Sequence, residues 1–166
     1  MENNDPMVNA TALDRIVNYE DYISGMNNDE LMVIINRLEI FEEAAAALTE
    51  LSIRDTEAAV PSCSKILAEN LGDEFLQAVA FNLLYEGDAE LAMEIIRKQV
   101  SHAPAALLGA MMDNLSTDSL QPVGQSLPSS FLRSVVDRYQ ALNDTDQERI
   151  LENYEWFQES YKDKLM

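Results

Sequence analysis

The chain has 166 residues, 47% of them apolar, with 30 acidic and 11 basic side chains and a net charge of −19. That length supports one domain (residues 1–166) with a core of its own, and the apolar content excludes a disordered tail. Phosphate backbones and anionic lipid surfaces repel so acidic a surface, so direct nucleic-acid or membrane binding is not expected and a basic partner is favoured.

Residues 1–9 are polar, contain Pro6 and read as a frayed or disordered start. They show neither the basic region nor the apolar region of a secretory signal, and no apolar run approaches a membrane span. A cytoplasmic location is expected. A helix is predicted from near Thr11, with Leu13, Ile16, Val17, Tyr19 and Ile23 as its stripe and Gly25 ending it. Asn27, Asn28 and Asp29 offer caps for the next helix. That helix is predicted to run unbroken from Glu30 to Leu51, on the stripe Leu31, Ile34, Ile35, Leu38, Phe41, Ala45 and Leu48. Its polar side carries Asn36, Glu39, Glu43 and Glu50, and residues 52–55 read as a turn.

The stretch DTEAAVPSCSKIL, Asp55 to Leu67, has a counterpart 33 residues later in DAELAMEIIRKQV, Asp88 to Val100. At that offset Asp55 meets Asp88, Glu57 meets Glu90, Ala59 meets Ala92 and Lys65 meets Lys98. The preceding segments agree as well, with Ala47 against Ala80, Leu48 against Phe81 and Leu51 against Leu84. The unit is helix, tight turn, capping Asp, helix, and the carboxylate would accept backbone N–H bonds at the start of the second helix. Gly87, before the second Asp, would permit the sharp turn. Such a hairpin cannot bury its apolar faces alone and needs a stacked neighbour. On these residues, roughly 40–101, the chain resembles HEAT and armadillo repeat proteins, although its unit is shorter than the ~40 residues usual for HEAT.

Beyond His102 the pattern degrades. Residues 103–115 read as a third first-helix, with Pro104 in its first turn, and 116–130 as a loop or broken short helix. A helix should resume at Ser129, on the stripe Phe131, Leu132, Val135, Val136 and Tyr139. After a turn at Asn143 and Asp144, Thr145 and Glu148 form a capping-box pattern for a last helix lined by Ile150, Tyr154, Phe157, Tyr161 and Leu165. No segment alternates as a half-buried strand does, so the expected fold is all-α. It consists of antiparallel helical hairpins stacked as a short HEAT-like α-solenoid, with a C-terminal helix pair.

No catalytic constellation is visible, so an enzyme is not expected. His102 is the only histidine, which removes multi-histidine metal sites, and it reads as a helix C-terminal residue rather than the base of a triad. Cys63, the only cysteine, lies on an apolar face and reads as an inert buried thiol. The NDTDQE run at 143–148 lacks the glycine and the late bidentate Glu of a calcium loop and reads as a cap. Neither a cofactor nor a metal is expected. Trp156 falls among Arg149, Glu152, Asn153 and Ser160, and an aromatic on a polar face is a candidate interface anchor.

Charge is the remaining signal, and residues 1–100 hold most of it: 20 acidic and 6 basic, a balance of −14. In composition and architecture the chain resembles the HEAT-like helical immunity proteins of bacterial toxin–immunity systems. That resemblance implies a non-catalytic acidic protein that neutralises a basic partner, such as a toxin or another nucleic-acid-handling enzyme. The candidate partner-binding residues are Glu39, Glu43, Glu50, Glu57, Glu90, Glu94 and Trp156. A helical-repeat adaptor or scaffold is the alternative.

Overall fold

A computed structural model of the chain describes residues 21–166, and all regular structure among them is helical. The expected frayed start and most of the helix expected from Thr11 lie outside the described residues. Residues 21–24 are helical, and Gly25 and Met26 turn the chain into α1 (Asn28–Arg37). Asn27 caps α1 in a reciprocal box: its side chain accepts from the Glu30 N–H, and the Glu30 carboxylate accepts from the Asn27 N–H.

The unbroken helix expected over 30–51 is two helices. Leu38 adopts a left-handed conformation with φ 51°, its N–H bonds the Ile34 carbonyl, and the chain restarts as α2 (Phe41–Arg54). Glycine or asparagine usually stands at such a helix end. Here packing holds a leucine in it: Leu38 lies against the core, and α1 folds back onto α2. The break also rotates the stripe. Ala44, Ala47, Leu48 and Leu51 are buried, whereas Phe41, expected inside, is exposed.

The two units found in the sequence fold alike up to their caps. Helix α2 leads through Asp55 to α3 (Thr56–Ala68), and α4 (Glu74–Gly87) leads through Asp88 to α5 (Ala89–Gln99). Asp55 sits at φ −154°, ψ 91° and Asp88 at φ −152°, ψ 83°. Each side chain accepts from the N–H three residues on, at 3.1 and 2.9 Å. Arg54 holds the place of Gly87 in the first unit, so the turn itself needs no glycine. Gly87 is instead a close approach, where a Cβ would meet the Thr56 methyl at 2.9 Å. The expected turn at 52–55 is also shorter than read, because Ser52, Ile53 and Arg54 complete α2.

Helix α2 packs on α4 and α3 on α5, while α4 also packs on α6 (Ala105–Thr117), which follows a 3-10 turn at Val100–His102. Side-chain bonds between helices distant in sequence recur at nearly constant separation. Gln99 reaches the Ala68 carbonyl across 31 residues, Asn114 reaches Asn82 across 32, and Tyr85 reaches Asp118 across 33.

After α6, the stretch expected as a loop or broken short helix contains a single-turn helix, α7 (Pro122–Ser126). Gly124 touches its neighbours so closely that a Cβ would lie 2.3 Å from the Asp118 carbonyl oxygen. Helix α8 (Ser129–Gln140) buries Phe131, Leu132, Val135 and Tyr139, in line with its stripe. The last helix is in three pieces: α9 (Asp144–Arg149), α10 (Leu151–Ser160) and α11 (Lys162–Leu165). Asn143, not Thr145, is the cap, accepting from the Asp146 N–H at 2.9 Å. The breaks fall at Ile150 and Tyr161, both buried. One connected apolar cluster runs from Ile23 to Tyr161.

Candidate interaction surface

The acidic candidates occupy three places. Glu57 and Glu90, equivalent in the two units, are the second residues of α3 and α5, and both are exposed. Glu94 is exposed one turn further along α5, in an ion pair with Lys98 at 3.2 Å. Negative charge near a helix start is favourable in itself, so Glu57 and Glu90 also serve their helix dipoles. Glu90 borders a depression that Met93, Arg97 and the α7 residues Pro122 and Val123 also line.

Glu39 and Glu43 flank the α1–α2 turn. Glu39 is exposed and Glu43 half-buried, and both line a groove with Tyr22, Val33 and Ile40. Glu50 differs from the expectation of a free acidic face. Its carboxylate is half-buried and bonds Arg54 Nε at 2.7 Å. Arg54 in turn donates to the Met26 and Ser24 carbonyls and so ties the 21–26 segment to α2. Glu50 therefore orients a structural arginine.

Trp156 stands on α10 with 47% of its surface exposed. Its expected companions are partly spent inward. Asn153 donates to Asp113 at 2.7 Å, and Arg149 bonds Glu74 at 2.8 Å and Asp146 at 3.1 Å. Among the described residues, the helix of Trp156 packs on α6 and α11, whereas the acidic candidates stand on or beside other helices.

Glu74 is the residue that sequence reasoning missed. It accepts the Ala106 N–H at 3.0 Å in the first turn of α6, a helix whose cap position is Pro104 and lacks a capping side chain. One carboxylate thus caps a neighbouring helix and holds Arg149, which also lies over the Phe75 ring. The residues it joins are 32 and 75 positions away, beyond any local pattern.

The buried thiol and tyrosine hydroxyls stay protonated near neutral pH. Burial pushes the Cys63 thiol up from 9.0 to about 12. Burial, with the Asp118 charge adding to it, pushes the Tyr161 hydroxyl from 10.0 to about 12. Tyr85 is raised too, by burial first and then by its bond to Asp118. An unfolded chain releases these protons near their ordinary values, while the fold retains them. Stability is therefore full below about pH 9 and falls as the pH rises towards 12, by up to about 1.4 kcal/mol per pH unit for each such group. Urea unfolding at steps between pH 8 and pH 11 checks this, and Cys63→Ala should remove the earliest part of the fall. A stability that stays flat to pH 11 would contradict the burial of these groups.

Among the described residues, no group of three or more His, Cys, Asp or Glu is placed to hold a metal, and no helix is long and apolar enough to cross a membrane. No protein-family model matches the chain, and no curated protein matches it at a significant level.

Proposed function

We propose that the chain is a non-catalytic acidic binding protein that inhibits a basic protein partner, in the manner of an immunity protein blocking a toxin, with a nuclease as one such partner. The observation that carries this reading is the placement of its charge. Glu39 in the α1–α2 turn, Glu57 on α3 and Glu90 on α5 are all exposed, and none pairs with a cation among the described residues. Unneutralised carboxylates repel one another across a surface and lower stability, and a basic partner reverses that cost on binding. The hairpins form a short α-solenoid in this reading. Its support is the pairing of α2 with α4 and of α3 with α5, together with hydrogen bonds between layers at 31–33 residues. Solenoids present extended surfaces on which several layers meet one partner.

Affinity capture on the immobilised chain from its source cells, followed by identification of what is retained, tests the proposal. The expected partner has a basic working surface and loses its activity when the chain is added in stoichiometric amount. A retained partner that is neutral or acidic, or one whose activity is unchanged, puts the adaptor reading in its place.

A further inference from the structure

Among the described residues ten large apolar side chains are exposed, and three of them share one groove. Tyr22, Val33 and Ile40 are 58, 46 and 44% exposed and line one groove of about 460 Å³ beside the α1–α2 turn. Glu30, Glu39 and Glu43 line the same groove against a single cation, Arg37, which leaves it at −2. We propose that this groove docks a basic amphipathic segment of a partner protein, in which Lys or Arg side chains stand beside apolar ones. The proposal rests on the basic-partner reading and names the surface for it.

Three occupants compete, and charge separates them. In a symmetric dimer formed through this groove, a patch of −2 would face its own copy, a net like-charge contact. The chain's own first 20 residues hold Glu2, Asp5, Asp14 and Glu20 against Arg15, a balance of −3, and meet the same repulsion. A basic segment alone gains from both features. Lys and Arg stems lie along apolar surface while their heads reach carboxylates. The exposed Tyr22 ring adds a face that a cation can approach. Exposed apolar residues gathered in a depression and edged by charge are the usual form of a protein-binding patch.

The probe is a short synthetic peptide alternating Lys and Leu, added to the full chain, with Lys–Ser and Glu–Leu peptides as controls. Fluorescence anisotropy gives affinity, and amide chemical shifts give the location. The Lys–Leu peptide should shift the amides of Tyr22, Val33, Ile40 and Glu43, bind more tightly than the Lys–Ser peptide, and leave the Glu–Leu peptide unbound. The double variant Val33→Ser, Ile40→Ser and the double variant Glu39→Lys, Glu43→Lys should each weaken it by about ten-fold or more while circular dichroism stays unchanged. Shifts centred on Glu57 and Glu90, or an affinity within about two-fold in the serine variant, would overturn the proposal as mere charge attraction. So would a dimer in the free chain that the serine variant dissolves. A cellular partner that is basic but binds the serine variant undiminished removes the groove and leaves the functional reading standing. An acidic cellular partner, with the Lys–Leu peptide still held in the groove, does the reverse.

Discussion

Truncating Phe81 to alanine is expected to lower the unfolding free energy by about 3–5 kcal/mol, the range for a buried phenylalanine removed from a packed core. Phe81 has no exposed surface, and its ring lies 5.6 Å from that of Tyr85. It sits on α4, which packs against α2, α3, α5 and α6. A cavity there weakens several helix contacts at once, and none of these helices can shift to fill it without losing another contact. Urea unfolding of Phe81→Ala should show a lower midpoint with an unchanged slope. A loss below about 1 kcal/mol would mean that the site collapses freely and that α4 is not the tightly packed centre described here.

Ala59→Phe and Ala92→Phe should each cost about 1–3 kcal/mol through overpacking. Both alanines stand four residues after a capping Asp and both are fully buried, Ala59 in α3 and Ala92 in α5. Helices α3 and α5 pack against each other, and each also packs on the helices beside it. A six-carbon ring at either position must push two helix backbones apart. Ala59→Phe should cost more than Ala92→Phe, because α3 also packs on the helix that follows it, α4, whereas α5 makes no comparable contact with α6. Thermal denaturation of the two single variants measures them. Unchanged melting temperatures in both would show that the two segments are not stacked units.

The two matching capping turns were legible in the sequence because their marker is local chemistry. An Asp that caps the helix after it needs only the three following residues to do so, and Asp55 and Asp88 do it with matching backbone angles. The apolar matches at Ala47/Ala80, Leu48/Phe81 and Leu51/Leu84 are buried for the same reason: helical spacing alone selects the inward face. What escaped is set by tertiary packing. A left-handed Leu38 leaves no sequence signal, because leucine is a good helix former and no glycine or asparagine stands there. The breaks at Ile150 and Tyr161 likewise occur at apolar residues that fit an unbroken stripe. The capping role of Glu74 depends on a backbone 32 residues away. The surface followed suit. Exposure of Glu39, Glu57, Glu90 and Glu94 could be read from the polar faces, whereas the bond of Glu50 to Arg54 became visible only with the fold. The groove beside the α1–α2 turn exists because the helix breaks at Leu38.

The central claim is that the acidity of this chain serves recognition of a basic protein. Its most direct test is the association rate with the captured partner, measured from low salt to near-molar salt. Over that range the screening length shrinks from about 30 Å at 0.01 M to about 3 Å at 1 M. The account predicts an association rate that falls steeply with added salt and a dissociation rate that changes much less, since long-range attraction acts before contact. The double variant Glu39→Lys, Glu43→Lys should associate more slowly at low salt and converge on the unaltered chain at high salt. An association rate indifferent both to salt and to these reversals would contradict the claim.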